Sequence, residues 1–394
     1  MLRVLMITYS VYEFDNRVER YCKSLNGLGH RVEVICLSKN CPIRKEEYYD
    51  GIKLYRMGCR RFDETSPISY LVRLLRFLIR AFFLVSRLHI KKRYDVIHYH
   101  NIPDFGIFCT IVPKIFGARI ILDIHDLVPE FYARKFSIEE DHPIVRLLKW
   151  IEKISCSYAD HVLTATDIWK EIVVERSVEQ KKCSVILNTP YPPLFDSVKN
   201  GAVKKQKSRF TMLYHGALNE HFGVDIAVRA VAIIKERVPE ILFKIYGTGR
   251  EEDNLKKLVK ELGISKNVYF HKPVPREKIP ALINDADIGV VPKRSERFSD
   301  KALSSKLLEF VYMNKPVVVS RTTASERYFD ETMVLYFEPE NQFDLARGVI
   351  YLYENPEKRR ELSRNTEKFN RKHQWKDYEA VYIDILNSLK NRDH

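Results

Sequence analysis

Short, unbroken apolar runs recur along this chain, and each is followed by a segment with helical spacing. "RVLMITYS" leads to "NRVERYCKSLNGLGH" and then to "RVEVICLS". After an irregular, basic stretch come "YDVIHYH", a helix near "GIFCTIVPKIFG", "ARIILDIHD", a helix near "IVRLLKWIEKISCSYA", and "DHVLTATD". A strand with one wet face alternates apolar and polar residues, whereas an unbroken run means that helices cover both faces. Strand, helix and strand in this order predict an α/β fold with a parallel, doubly wound sheet.

The pattern runs twice. "VILNTPYPPLF" closes the first series with a proline-rich turn, and the polar "DSVKNGAVKKQKSR" reads as a linker. The second series is "FTMLYHG", a helix over about 223–237, "ILFKIYGTG", a helix "REEDNLKKLVKELG", "NVYFHKP", a short helix "REKIPALINDA", and "DIGVVPK". It ends with "DKALSSKLLEFVYMNKPVVVS", and a last helix, "KDYEAVYIDILNSLKN", closes the chain. At 394 residues the chain exceeds one ordinary core. The expected division is 1–197 for a first domain, 198–208 for the linker, 209–372 for a second domain and 373–394 for the terminal helix. Two such Rossmann-like domains would face each other across a cleft, with ligands at the carboxyl ends of the strands.

The formal net charge of +14 calls for an anionic partner: nucleic acid, acidic lipid or a phosphorylated small molecule. Nucleic acid lacks support, because there is no zinc finger, no clear helix-turn-helix and no sheet interleaved with aromatics. The seven cysteines are scattered and form no C-x-x-C, which removes zinc and redox readings and favours a reducing cytosol. "MLRVLMITYS" is too brief, and too interrupted by Arg3, for a signal peptide, and no segment has the length of a membrane span. A cytoplasmic protein is expected.

Several clusters carry chemistry. Lys306 and Glu309 lie three residues apart on a helix over about 304–313, beside a core strand at Val317–Val319. A buried carboxylate is costly unless paired, so Glu309 either pairs within the protein or waits for a ligand. "IYGTGRE" places Gly247 and Gly249 in a strand-to-helix turn, which either cradles a phosphate or is a plain turn. Asp285 and Asp287 have D-x-D spacing, but one ends a helix and the other enters a strand, so they are rejected as a metal site. Asp123, His125 and Asp126 crowd the carboxyl end of a strand, where a histidine can serve a leaving group or a sugar hydroxyl. Of the histidines ending the preceding strand, His98 reads as structural and His100 as bordering the cleft.

On the segment 68–92, Arg73, Arg76, Arg80, Arg87 and Lys91 fall within about 60° of one another on a helical wheel. Such a basic stripe with large apolar flanks suits either an anionic membrane surface or an ordinary solvated face. Arg146, Lys149 and Lys153 repeat the spacing on the Trp150 helix, where the solvated face is the expectation.

Together these pieces resemble the retaining glycosyltransferases of the GT-B fold, in the large family four (GT4), group 1. "FDNRVERYCKSLNGLGHRVEVI" is similar to that group's D-x-R-V helix and following strand. "LDIHDLVPE", "YHGALNEHFGVDIAVRAV", "YGTGRE", "NVYFHKPVPREKIPALINDADIGVVP" and "SSKLLEFVYMNKPVVVS" then follow in the family's order. Three positions depart from the common pattern. Lys301 with Asp300 beside it stands where many members have a glutamate, Ala217 where many have an arginine, and Phe222 where many have a lysine. A subgroup with an S-x-K-L-L-E segment shares these substitutions.

The resemblance implies that Glu309 accepts hydrogen bonds from the two ribose hydroxyls of a nucleotide-sugar donor, as a carboxylate can. It implies that Ser304, Ser305 and Lys306 offer their helix N-terminus to the diphosphate, near Gly216, Gly247 and Gly249. With the usual cations replaced, Lys306, Arg294 and Arg250 are the nominated substitutes. The base would rest on backbone at Lys272–Val274. His125, Asp126 and Asp300 would serve the reacting sugar, while Asp15, Asn16, Arg17 and His100 would face the acceptor. The implied reaction retains the anomeric configuration, uses no metal and no cofactor, and moves a sugar to a saccharide or lipid-linked acceptor at the membrane face. The terminal helix would pack back on the first domain. A nucleotide-sugar epimerase and a noncatalytic nucleotide-sugar-binding protein are the alternatives.

Overall fold

The structure is a computed structural model and describes residues 1–39, 46–59, 67–136, 138–201 and 209–391. The chain divides into two compact units: Met1–Leu187 with Lys376–His394, and Asn188–Trp375. Strands of the first unit are β1 (Arg3–Val11), β2 (Arg31–Ser38), β3 (Glu46–Tyr49), β4 (Ile52–Cys59), β5 (Val96–His100), β6 (Arg119–Ile124), β7 (His161–Thr164) and β8 (Cys183–Val185). Their order is β3-β4-β2-β1-β5-β6-β7-β8. Every neighbouring pair is parallel except β3 with β4, an antiparallel hairpin in the stretch that reads as irregular from sequence. β5 is buried along its whole length, which is why "VIHYH" tolerates no exposed polar alternation.

The second unit carries β9 (Thr211–His215), β10 (Leu242–Tyr246), β11 (Val268–His271), β12 (Ile288–Val291), β13 (Val317–Ser320) and β14 (Leu335–Phe337). Their order is β11-β10-β9-β12-β13-β14, and all pairs are parallel. The Val224–Arg237 helix buries Ala227, Val228, Val231 and Ile234 in one core with Met212, Phe243 and Ile288. Each fully buried Val or Ile there contributes about 1.5–3 kcal/mol. In both sheets the strand order reverses at the first strand, β1 or β9. That reversal opens a crevice at the carboxyl ends of the strands flanking it, where open α/β sheets bind ligands.

Two boundaries differ from the sequence reading. Pro192–Gly201 is a helix, so the first part of the expected linker is ordered, and 202–208 lie outside the described residues. Proline at the start of a helix costs nothing, because its missing N–H would be unpaired there anyway. The unit boundary falls after Leu187 rather than at 197, and Lys376–His394 belongs to the first unit. There Tyr382 is fully buried, with its hydroxyl 2.8 Å from His98 Nδ1. Cys22, Cys36, Cys109, Cys156 and Cys183 are free and buried, whereas Cys59 is disulfide-bonded, which the scattered cysteines did not foretell.

Candidate active site

In the second unit the crevice is built by the end of β9 and by the Ser305–Tyr312 helix, whose N-cap is Ser304. That helix buries Leu307, Leu308, Phe310 and Val311, and this packing presents Lys306 and Glu309 on its other side. Lys306 Nζ lies 3.9 Å from the centre of the Phe222 ring and 5.6 Å from that of Tyr214, a cation held over two π faces. Glu309 has 19% of its side chain exposed, and its Oε2 is 3.4 Å from His215 Nε2. His215 Nε2 is itself buried without a hydrogen-bond partner. No ion pair joins Glu309 to Lys306 among the described residues, so the internal pairing left open by the sequence is not formed.

The electrostatics follow from that geometry. Burial pushes the Glu309 carboxyl up to about 7, against the pull of the Lys306 charge. Burial also brings Lys306 down to about 8, with Glu309 acting in the opposite direction. His215 is held down to about 3 by burial and by the Lys306 charge, and is neutral at ordinary pH. A carboxylate and an ammonium, each destabilised by burial and not joined to one another, form a site short of polar partners.

Gly216 has φ +128°, and a Cβ there would run into the Lys306 side chain. Only glycine lets β9 turn so close beneath that cation. The Gly247–Gly249 turn has a structural explanation. A Cβ on Gly247 would meet the Gly216 carbonyl and one on Gly249 the Leu218 carbonyl, while Leu218 N donates to Thr248 O at 2.9 Å. These glycines let two loops touch, a packing reason for both positions that stands beside the phosphate-cradle reading.

Other nominated residues are already engaged. Arg294 pairs with Asp225 at 2.8 Å and donates to Glu220 O at 3.2 Å, so it braces a loop instead of standing ready for a diphosphate. Asp300 accepts from Ser295 Oγ at 2.9 Å and from Thr323 N at 3.1 Å, and also from Thr323 Oγ1. Burial opposes its ionisation, but the Thr323 and Ser295 bonds hold its carboxyl below the ordinary value. It ties down the start of the Thr323–Tyr328 helix. The Arg250 backbone N–H lies 3.4 Å from Asn219 Oδ1, and Lys272 and Val274 follow the end of β11. Asp285 pairs with Lys244 at 3.2 Å, and Asp287 accepts from Thr211 N at 2.7 Å, two structural roles.

In the first unit the ends of β1, β5 and β6 gather a second cluster. Three imidazoles converge on Asp123 Oδ2: His125 Nε2 at 2.9 Å, His100 Nδ1 at 3.2 Å and His98 Nε2 at 3.4 Å. Burial alone would raise Asp123, yet the histidines around it hold its carboxyl well below the ordinary range. Burial lowers His98 to about 4 and lowers His100 as well, so both are neutral against an ionised Asp123. His98, His100 and Asp123 offer ligand atoms within 4.8 Å of one another. As arranged, they engage each other. His100 is fully buried beneath His125, which corrects its placement against the acceptor.

His125 is fixed from a second side, where its backbone N donates to Asn101 Oδ1 at 2.8 Å. Asn101 Nδ2 in turn donates to Asp126 O at 2.8 Å, setting the "IHD" loop. Asp15 caps the Asn16–Gly27 helix and accepts from Ser10 Oγ at 2.8 Å. Burial opposes its ionisation, but Arg17, His125 and His100 together bring it to about 2. It is therefore a buried cap, while Asn16 is exposed and Arg17 half-buried beside it. Sequence reasoning passed over His215 and Asn101, each a polar residue at or just past the end of an apolar strand flanking a reversal.

Two α/β units, each with a polar cluster at a reversal of strand order, have the GT-B fold, and two family models support a glycosyltransferase. Residues 198–369 match the family of glycosyl transferases group 1, and residues 15–189 match the glycosyl transferase 4-like domain. The chain is similar to an uncharacterized glycosyltransferase of Methanocaldococcus jannaschii, 26% identical over 373 residues and 88% of each chain. It is also similar to a D-inositol 3-phosphate glycosyltransferase of an Arthrobacter species, 25% identical over 306 residues, 76% of this chain and 71% of that one. Among solved structures, sucrose-phosphate synthase from Thermosynechococcus elongatus shares the fold with a TM-score of 0.80 at 15% identity, over 99% of both chains. HepE from Anabaena, in complex with UDP-glucose, shares it with a TM-score of 0.70 at 14% identity, over 98% of this chain and all of that one.

Proposed function

We propose that this protein transfers a sugar from a nucleotide-diphosphate sugar to a lipid-linked saccharide, with retention at the anomeric carbon, in the assembly of a surface polysaccharide or glycolipid. The observation that carries the reading is Glu309, a half-buried carboxylate with no cation paired to it, beside a helix N-terminus at the reversal of the sheet. The ribose hydroxyls of a donor supply the two hydrogen bonds it lacks. The Ser304–Lys306 N–H groups and the Lys306 ammonium stabilise the departing diphosphate without a metal. The acceptor hydroxyl attacks from the face of the leaving group. As the bond from C1 to the phosphate oxygen breaks and the new C1–O bond forms, the hydroxyl proton passes to that phosphate oxygen. His125, held by Asp123 and Asn101, serves the donor sugar, and Asn16 and Arg17 serve the acceptor. The complex of HepE with UDP-glucose supports a uridine nucleotide as the first donor to try. A lipid-linked acceptor places the enzyme on the cytoplasmic membrane face, and the exposed Arg76, Arg80, Arg87 and Lys91 of the Pro67–Lys92 helix suit anionic headgroups.

The test is thermal stabilisation by a panel of nucleoside diphosphates and their sugars. One nucleotide at 100 times its dissociation constant should add about 2.7 kcal/mol, and Glu309→Ala should abolish that gain. No shift for any nucleotide would sink the donor reading. The anomer formed in the product, read by NMR, decides retention.

A further inference from the structure

In the first unit the chain steps from β4 to β5, to β6 and to β7, always in the same direction across the sheet. Right-handed crossovers then put the connecting helices on one face. The Pro67–Lys92 helix packs against the Asp104–Thr110 turn and the Ile111–Ile115 helix, and the Pro143–Tyr158 helix packs on the same turn. This layer turns large apolar side chains outward. Phe83 is 66% exposed, Ile115 74% and Trp150 60%, with Ile79, Ile90 and Leu147 also exposed. Single exposed apolar side chains are ordinary, but six large ones on three adjoining helices make this layer a candidate interaction face.

The charge on the layer is predominantly positive. The Pro67–Lys92 and Ile111–Ile115 helices contain no Asp or Glu, and the single acid of the Pro143–Tyr158 helix, Glu152, is buried against Arg176. Acids border it: the exposed Glu46 lies near Arg87 and Lys92, Asp160 pairs with Lys114 at 3.0 Å, and Glu139, Glu140 and Asp141 precede the last helix. No helix of the described residues is long and apolar enough to cross a membrane. An exposed apolar band between cations suits an element lying in the headgroup region.

We infer that these three helices form one membrane-seating face, in which Ile79, Phe83, Ile115, Leu147 and Trp150 enter the acyl boundary of an anionic leaflet and the cations hold its headgroups. The inference rests on the membrane reading of the Pro67–Lys92 helix. It adds the two following helices, including the Trp150 helix that the sequence alone left as an ordinary solvated one.

Trp150 reports directly on this face, because the other two tryptophans, Trp169 and Trp375, are buried. The full chain is titrated with vesicles of phosphatidylcholine alone, or with about a third phosphatidylglycerol, in the absence of donor and acceptor. The expected result is a blue-shifted Trp150 emission, quenched by brominated lipid, with the anionic vesicles only. Arg76→Ala with Arg80→Ala and Arg87→Ala should weaken binding roughly a hundredfold, at about fivefold per charge. Leu147→Glu with Phe83→Glu should abolish the emission shift, and both variants should keep the thermal shift given by the nucleotide. Wild-type protein that responds to nucleotide but not to anionic vesicles overturns the inference and leaves the donor reading standing. Vesicle binding without any nucleotide response does the reverse. A dimer in light scattering, with Trp150 already blue-shifted before lipid is added, would mean that a second copy covers the face, and would also overturn it.

Discussion

Glu309→Gln tests whether the carboxylate waits for a ligand. The Glu309 pKa rises from 4.5 to about 7 on folding. The folded state therefore holds this proton more tightly than the unfolded chain. Stability is fully present below pH 4.5, falls as the pH climbs through the interval, and is lost above 7. At 1.36 kcal/mol per unit, an ionised Glu309 costs about 3 kcal/mol relative to a neutral side chain. That figure already includes the attraction of Lys306, which pulls the pKa down, so the net gain at pH 8 is about 3 kcal/mol. For a unit of this size, 1 kcal/mol shifts Tm by about 2–4 °C, so the ligand-free variant should melt about 6–12 °C higher than wild type at pH 8. At pH 4, below both pKa values, the two should melt together. Melting curves without nucleotide, at both pH values, provide the measurement. A variant that melts below wild type at pH 8 would show that Glu309 is paired within the protein, and the ligand-binding reading would fail with it. Nucleotide at about a thousand times its dissociation constant adds about 4 kcal/mol to wild type and should reverse the order, because the glutamine offers one accepting oxygen where the carboxylate offers two.

Gly216→Ala should cost about 1–3 kcal/mol, since alanine is strained at φ +128° and its methyl meets Lys306. The nucleotide-induced shift should disappear with it, whereas Gly263→Ala, also at positive φ but with open space around it, should leave that shift intact. Asp123→Asn removes the charged acceptor shared by three imidazoles and should destabilise the first unit by about 2–3 kcal/mol in urea unfolding, with transfer activity lost and nucleotide binding kept.

The architecture was legible because parallel strands buried on both faces leave unbroken apolar runs, which few other folds produce. The β3–β4 hairpin was hidden for the opposite reason. Its strand Glu46–Tyr49 reads "EEYY" and lies at a half-exposed sheet edge, where no hydrophobic constraint marks the sequence. Glu309 was readable because an acid on an otherwise apolar helix beside "VVVS" needs an explanation. His215 was not, because a histidine ending a strand has many structural uses. Its significance lies in an unpartnered nitrogen 3.4 Å from Glu309, a fact of tertiary packing. The same limit applies to Asp300 and Arg294, since sequence shows which charges lie near a site but not that they also bond to Thr323 or Asp225.

The departures at positions 217 and 222 now have a physical account. The resemblance implies that many relatives place a lysine where this chain has Phe222, so that cation belongs to the loop after β9. Here the loop contributes a ring, and the cation comes from Lys306 on the facing helix, 3.9 Å from the ring centre. Phe222 thus keeps a positive charge at the crevice by binding it rather than by carrying it. Ala217, following the glycine that Lys306 overlies, leaves that ammonium without a neighbouring arginine to repel it. In this chain Phe222, Gly216 and Lys306 therefore form one packed unit, with Ala217 beside it. Burying the ammonium over two aromatic faces lowers its pKa to about 8, so near neutral pH it stays charged but poorly solvated. An ammonium in that state gains more from an arriving diphosphate than a hydrated surface lysine would, because less water must be stripped from it.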